Sequence, residues 1–321
     1  MGKTEFTFYN FKISSSMERS EEMYETVVMG SGPAGLSAAL YLKRAGKNVI
    51  VIEKEYEGTG QIVQSVCVDN YLGIPSVSGE TLGERFRQHV LDAGVIFLED
   101  EAEKILYDGK NWYIRLLSGK NIETETILYA AGAVPKTLGI PGEKEFLGRG
   151  ISYCAYCDGS LYRGKEVAVI GGGDTALDDA LYLSGLCRKV SLIHRRTEFR
   201  GNGTTLEILK KRENVEIITE ASVIKAEGQK KLEEIVLDNG EKLSVSGLFV
   251  AIGSMPVSDA IKGHVERDLD GYVYAQEDGI TIAPGLFVAG DVRKKKLRQV
   301  ITAVSDGANA AASAMDYLKF T

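Results

Sequence analysis

The chain is poor in the residues that usually staple or decorate a protein. It has 4 cysteines, 6 prolines, 3 histidines and 1 tryptophan in 321 residues. So few cysteines exclude a secreted disulfide scaffold. No apolar run approaches the ~20 residues that a membrane-spanning helix needs. Positive charge is not in excess either: 38 Lys and Arg stand against 45 Asp and Glu, a net charge of −7. A nucleic-acid or anionic-membrane reader needs a cationic face, so neither is expected as a partner. The first 22 residues lack the apolar core and small-residue cleavage site of a secretory signal, which predicts a cytoplasmic protein. Those residues, rich in Ser and Glu, read as a disordered extension, and the globular pattern begins near Met23. What the chain does have is 44% apolar residues, 26% charged residues and 36 glycines. Its length suits two domains of ~100–200 residues each.

An internal repeat organises the sequence. A strand pattern at 27–29 runs into Gly30-Ser31-Gly32-Pro33-Ala34-Gly35, and another at 167–170 runs into Gly171-Gly172-Gly173-Asp174-Thr175-Ala176. A helical pattern follows each turn, and then a second apolar strand, Val49 to Ile52 or Val190 to Ile193; the copies align without a gap. Strand, glycine turn, helix and strand make the dinucleotide-binding unit. The first glycine makes the tight turn and the second lets the backbone approach a pyrophosphate. The third position, Gly35 or Ala176, permits close helix–strand packing. The free N–H groups at the helix start then meet the phosphates. A single such motif would mark little more than a tight turn. Two copies in the same context predict two Rossmann-like domains in an α/β fold.

The ends of the second strands differ in charge. The first copy ends at Glu53, whose carboxylate can accept hydrogen bonds from a ribose diol. The second ends at His194, followed by Arg195, Arg196 and Arg200. Guanidiniums bind a ribose 2′-phosphate bidentately, where a carboxylate would repel it. The first copy is therefore expected to hold FAD and the second NADPH; a hydride donor beside a flavin makes an electron-transfer pair. A second repeat, Tyr129 to Pro135 and Val250 to Pro256, closes each nucleotide domain with an apolar strand and a glycine turn. Near the C-terminus, an apolar strand delivers Asp291 beside Gly290, a carboxylate suited to the ribityl hydroxyls of a flavin.

Cys154-Ala155-Tyr156-Cys157 is followed by Asp158-Gly159. Zinc and iron–sulfur centres want four ligands, and no histidine or second Cys pair lies nearby, so no metal is expected. A C-x-x-C pair in a cytosolic α/β chain points to thiol redox work. Asp158 supplies a carboxyl able to protonate a leaving thiolate. Cys67 and Cys187, standing alone, read as packing residues. The basic run Arg293-Lys294-Lys295-Lys296 reads as a solvated loop, with docking of an acidic partner as the sharper alternative.

With these motifs in place, the chain resembles the low-molecular-weight thioredoxin reductases, flavoproteins of the disulfide-reductase superfamily, from about Tyr24 to the C-terminus. The resemblance implies a homodimer whose NADPH domain is inserted into the FAD domain. The domains expected are 23–136 and 259–321 for FAD and 137–258 for NADPH, with hinges near Pro135–Thr137 and Met255–Asp259. It implies that electrons pass from NADPH to FAD, to the Cys154–Cys157 disulfide and on to thioredoxin or a thioredoxin-like dithiol protein. Cys157 would face the flavin, Cys154 would attack the partner, and Asp158 would be the acid/base. It assigns to FAD the first glycine turn, Glu53, Lys54, Gly60, Gln61, Asn70, Gly132, Gly290, Asp291, Arg298, Gln299 and Val300. It assigns to NADPH Gly171, Gly173, Asp174, Thr175, Ala176, His194, Arg195, Arg196 and Arg200.

Four positions depart from the family pattern. Thr59 stands where glycine is usual, Leu72 where proline is usual, Tyr156 where threonine precedes the second Cys, and Val257 where asparagine follows the closing proline. None removes a group the chemistry needs, but Tyr156 bears on the choice of partner. The alternatives are the same relay serving another dithiol protein, a dithiol oxidase that passes electrons to oxygen, and a flavin-bound scaffold. The intact second glycine turn argues against the oxidase, and the Cys pair beside Asp158 argues against the scaffold.

Overall fold

The computed structural model describes residues 23–55 and 57–320. The expected N-terminal extension lies outside them. In chain order the strands and helices are β1 (Met23–Met29), α1 (Pro33–Arg44), β2 (Val49–Glu53), α2 (Gly79–Asp92), β3 (Ile96–Glu99), β4 (Ala102–Tyr107), β5 (Trp112–Leu116), β6 (Asn121–Tyr129) and β7 (Ala133–Pro135). Then come α3 (Glu143–Phe146), β8 (Ile151–Ser152), α4 (Ala155–Asp158), β9 (Glu166–Ile170), α5 (Asp174–Ser184), β10 (Lys189–His194), α6 (Gly203–Lys210) and β11 (Val215–Thr219). The chain closes with β12 (Val223–Gly228), β13 (Leu232–Leu237), β14 (Lys242–Ser244), β15 (Gly247–Val250), β16 (Ser254–Pro256), β17 (Leu286–Val288) and α7 (Val300–Tyr317).

Two compact units result. The first takes the described residues up to Ile62, then Leu82–Ala133 and Pro256 onward; the second takes Val63–Thr81 and Val134–Met255. The segments that pass between them, β7 and β16, pair as a two-stranded sheet. The stretch Val63–Thr81 clusters with the second unit although the chain on either side of it belongs to the first. Contiguity in sequence gave no sign of that excursion.

In the first unit the strands run in the order β3-β2-β1-β6-β5-β4, with β17 also on β6. The β1, β2, β3, β6 and β17 pairings are parallel. β4, β5 and the start of β6 pair antiparallel. Side chains on the edge strand β3 are not buried, but those on the parallel strands β1, β2 and β17 mostly are. That suits strands covered on both faces, whereas β5 alternates, as a strand with one wet face does. Apolar clusters lie on both sides of the sheet, one around Trp112, Ile114 and Ile127, the other around Leu36, Leu42 and Ala310.

The second unit repeats the plan with a parallel sheet, β11-β10-β9-β15-β8, and an antiparallel sheet, β12-β13-β14. In each unit the strand that carries the glycine turn, β1 or β9, lies between strands reached by opposite crossovers. Its carboxyl end is therefore a topological switch point, where α/β sheets bind ligands. Among the described residues no helix is long and apolar enough to cross a membrane.

α1 packs closely on α7 because its facing residues are small. A β-carbon added at Gly307 of α7 would sit 2.0 Å from the carbonyl oxygen of Ala34. Overpacking of this kind costs about 1–3 kcal/mol. Gly307→Ala is therefore expected to lower the unfolding free energy by about that amount in denaturant titration; unchanged stability would show that the helices yield.

Candidate active site

At the end of β1 the chain turns at Gly30, which has φ +97° and would place a β-carbon 2.6 Å from the carbonyl oxygen of Ala130. Gly35 lies inside the start of α1, where a β-carbon would meet the Gly30 carbonyl oxygen at 1.9 Å. Pro33 occupies the first helical turn, where its missing N–H costs nothing. Gly60, at φ +75°, presses against the Cα of Gly32. These glycines thus let backbone pack against backbone, which brings the start of α1 close to the end of β1.

Glu53, at the end of β2, binds this turn: its Oε2 accepts from the Ser31 N–H at 2.8 Å and the Ser31 hydroxyl at 2.7 Å. Its Oε1 accepts from the Glu55 N–H at 3.1 Å. The carboxylate is therefore fixed at the turn, with lone pairs left for a diol. Lys54 is exposed. Gln61 donates to the Ala133 carbonyl, just past Gly132 at φ +69°. Asn70 lies in the Val63–Thr81 stretch of the other unit.

Asp291 is held by a buried ionic network. Arg293 and Asp306 are almost fully buried and paired twice, Nη2 to Oδ1 at 2.8 Å and Nε to Oδ2 at 3.2 Å. Asp306 Oδ2 also accepts from the Gly290 N–H at 3.0 Å and from Lys295 Nζ at 2.9 Å. Lys295 Nζ lies 3.5 Å from Asp291 Oδ1, an ion-pair contact without hydrogen-bond geometry. That oxygen is buried and has no hydrogen-bond donor. Burial pushes the Asp291 carboxyl above its ordinary range, against the pull of Lys295 and Arg298. Arg298 stacks on Tyr272 at 4.1 Å and reaches the Asp291 carbonyl at 3.4 Å. Gln299 and Val300 open α7, Gln299 as its N-cap in a capping box with Thr302.

This corrects the reading of 293–296 as a solvated loop. Arg293 is buried, Lys295 is nearly so, and Lys294 pairs with Asp268; the side chain of Lys296 is exposed. A run of four cations looks like solvated loop in one dimension. Its counter-ions, Asp306 and Asp268, come from distant parts of the chain.

The second unit holds the other turn. Gly171, at φ +153°, would drive a β-carbon to 2.3 Å from the Ala251 carbonyl oxygen. Gly173 has nothing within 4 Å of its missing β-carbon, so that side of the turn is open to a ligand. Asp174 and Thr175 are exposed at the head of α5, and Ala176 is buried under it. The Arg200 and Gly201 N–H groups both donate to the Gly172 carbonyl, at 2.7 and 3.1 Å. That fold-back places the arginine loop beside the turn, with Arg195, Arg196 and Arg200 exposed. His194 stands apart from them. It is buried, its Nε2 lies 3.2 Å from the Glu198 carbonyl oxygen, and its ring fills the space over Gly172. Burial lowers its pKa, with the three arginine charges adding to the drop, and its ring lies under the loop.

The redox pair caps a short helix. Cys154 and Cys157 are joined, S–S 2.12 Å, and the Cys157 N–H donates to Cys154 Sγ at 3.1 Å. That donor would stabilise a thiolate on Cys154 after reduction. Asp158 is half-buried; its Oδ2 accepts from the Ser152 hydroxyl at 2.6 Å and its Oδ1 is buried without a partner. Burial raises its pKa, Asp69 adds to the rise, and Ser152 opposes it. A carboxyl so placed holds a proton more readily than an exposed aspartate does. Tyr156 is about half exposed and stacks on Tyr182 of α5 at 4.6 Å, with the charges of Asp178 and Asp179 close by. Asp179 is buried, which pushes its carboxyl up to about 7 with help from Asp178. Ser152, Asp69, Asp179 and Tyr182 escaped the sequence reading. A serine two residues before a cysteine, or paired aspartates inside a helix, carry no signal until their neighbours are known. Cys187 is buried, and burial raises its thiol to about 11, in keeping with a packing role.

The residues fit the two nucleotides. Close-packed glycine backbone, the bound Glu53 and the orphaned oxygen of Asp291 suit FAD in the first unit. The open Gly173 face beside three exposed arginines suits a nucleotide with a 2′-phosphate in the second. Residues 24–307 match the family described as pyridine nucleotide-disulphide oxidoreductase, and the chain belongs to that family. Its relatives narrow the class. The thioredoxin reductase of Peptoclostridium acidaminophilum is 37% identical over 313 residues, covering 93% of this chain and 98% of that one. That of Bacillus subtilis is 33% identical over 305 residues, covering 93% and 96%. Among solved structures, thioredoxin reductase from Streptococcus pyogenes matches with a TM-score of 0.89 at 32% identity, over 94% of this chain and 100% of the other.

Removing one partner of a buried ion pair leaves an uncompensated charge, at a cost of about 3–5 kcal/mol. Asp306→Ala is expected to destabilise the protein by that amount in denaturant titration, far more than Lys294→Ala at its more exposed pair. Equal, small losses would show that Arg293 is not held as described.

Proposed function

We propose that this chain is an NADPH-dependent thioredoxin reductase. The observation that carries the reading is the joined Cys154–Cys157 pair beside a buried, partnerless carboxyl oxygen, in the same unit as a glycine turn flanked by three exposed arginines. The FAD domain comprises the first unit and the NADPH domain is inserted into it. Bound FAD supplies the two-electron carrier between nicotinamide and disulfide. The first glycine turn, Glu53 and Asp291 orient that cofactor. Arg195, Arg196 and Arg200 select the 2′-phosphate of NADPH. Cys154, its sulfur held by the Cys157 N–H, attacks the partner disulfide, and Asp158 donates the proton to the leaving thiolate.

The partner is thioredoxin or a protein with a thioredoxin-like dithiol. One relative, a bifunctional thioredoxin reductase/thioredoxin of Mycobacterium leprae, carries both names; it is 37% identical over 305 residues, 66% of its own length. A cytoplasmic homodimer belongs to the same proposal. A different dithiol partner is the second reading, favoured by the stacked, half-exposed Tyr156 between the cysteines.

Anaerobic NADPH consumption with thioredoxin tests the proposal. Turnover is expected in the wild type and none in Cys157→Ser, although NADPH should still bleach the flavin of that variant. Bleaching without wild-type turnover would transfer the assignment to another dithiol protein. A flavin that stays yellow with NADPH would refute the reductase reading. Replacing both Arg195 and Arg196 by Ala should raise the KM for NADPH at least ~10-fold, the effect of losing ~1.4 kcal/mol of phosphate binding in all, and leave the NADH value near its original. An equal loss with both nucleotides would sink the 2′-phosphate assignment.

A further inference from the structure

We propose that Ser152 and Asp69 are positioning residues that clamp the Asp158 carboxyl between a hydrogen-bond donor and a like charge, and so set the pH range over which it serves the redox pair. This rests on the disulfide-reductase reading above.

Ser152 ends β8 and is buried. Its hydroxyl oxygen accepts the Cys154 N–H at 3.0 Å and donates to Asp158 Oδ2 at 2.6 Å. The Cys154 carbonyl is a competing acceptor at 3.3 Å, but the shorter, charge-assisted bond takes the proton. One hydroxyl thus ties the backbone of the attacking cysteine to the acid. Asp158 Oδ1, buried without a partner, is the oxygen left to carry a proton.

Asp69 approaches from the Val63–Thr81 stretch of the same unit, where Val68 bridges to Val77. Its Oδ2 lies 3.5 Å from the hydroxyl of Ser160, two residues beyond Asp158. The other groups around α4 are Tyr162, whose own ring lies under Lys165, and Asp178, Asp179 and Tyr182 of α5. The α5 carboxylates act on Tyr156, whereas the carboxylate acting on Asp158 is Asp69. Burial raises the Asp158 carboxyl most; on top of it the Ser152 donor favours the charged form and the Asp69 carboxylate disfavours it, so the two residues oppose each other.

The proton balance gives this a place in the reaction. Opening the Cys154–Cys157 bond to two thiols takes two electrons and two protons. NADPH supplies a hydride equivalent, which is both electrons and one proton, and leaves as NADP⁺. The second proton comes from water through Asp158. When Cys154 then gives its proton to the Asp158 carboxylate and attacks a partner disulfide, a mixed disulfide forms and the departing partner thiolate takes that proton; Cys157 closes on Cys154 in turn, its own proton passing to the second partner thiolate.

The test is the pH–rate profile of the FAD-loaded enzyme with NADPH, run with thioredoxin and, in parallel, with dithiobis(nitrobenzoate), a small aromatic disulfide. A general acid makes the rate fall on the alkaline side of its pKa. Ser152→Ala removes the donor that favours the carboxylate, so the alkaline limb should move to higher pH. Asp69→Asn removes the like charge, so the limb should move to lower pH. Ser152→Thr keeps the hydroxyl and should restore the wild-type profile. Opposite shifts in the first two variants support the inference. Shifts in one direction, a lowered plateau with no shift, or no alkaline limb in the wild type would overturn it. Loss of activity with thioredoxin alone, with the opposite shifts retained on the small disulfide, would overturn the partner and leave the clamp standing.

Discussion

A β-carbon at Gly35 would sit 1.9 Å from the Gly30 carbonyl oxygen, and one at Gly171 would sit 2.6 Å from the Ala176 β-carbon in the first turn of α5. Both units depend on this close approach of the glycine turn to the start of its helix. Without it, neither helix could start so close to its strand, and the N–H groups at its head would not face a phosphate. The constraint reaches further in the first unit. Gly60 presses on Gly32, and Gly307 of α7 presses on Ala34 of α1. The helix carrying Gly307 also carries Asp306, which holds Gly290, Arg293 and Lys295 around Asp291. One set of small residues therefore connects the first glycine turn to the Asp291 carboxylate.

Electrostatics divides the two units. In the first, a carboxylate accepts from the turn itself through Ser31, and the buried cations are consumed by Asp306 and Asp291. In the second, the arginines are exposed, and the half-buried Asp158 and the buried Asp179 carry raised proton affinities. A buried acid beside a disulfide suits proton delivery, and exposed guanidiniums suit capture of a charged ligand from water. The same strand–turn–helix scaffold has been fitted for opposite tasks by what stands at the end of its second strand.

The glycine motifs, their helices and strands, Glu53, the arginines and the Cys pair with Asp158 were all legible in the sequence. Each is a local pattern: spacing along one turn, a charge at a strand end, two sulfurs one helical step apart. Such patterns survive in one dimension because the residues that act together are neighbours in the chain. His194 was legible only as a position. Its burial over Gly172 depends on how β10 packs against the turn, which strand periodicity cannot show.

Tertiary structure alone decided the rest. The basic run 293–296 turned into a buried network because Asp306 arrives from α7 and Asp268 from an earlier loop. Asp69 meets Ser160 across 91 residues of chain, and the Val63–Thr81 stretch leaves its flanking unit to do so. Tyr156 stacks on Tyr182, and Ser152 binds Asp158, only once α4, α5 and β8 are assembled. The sequence by itself determined which nucleotides and which redox chemistry the chain can serve, because glycines, guanidiniums and thiols are specific by type. Which carboxyls keep their protons depends on burial and on charges from distant segments, and those exist only in the folded chain.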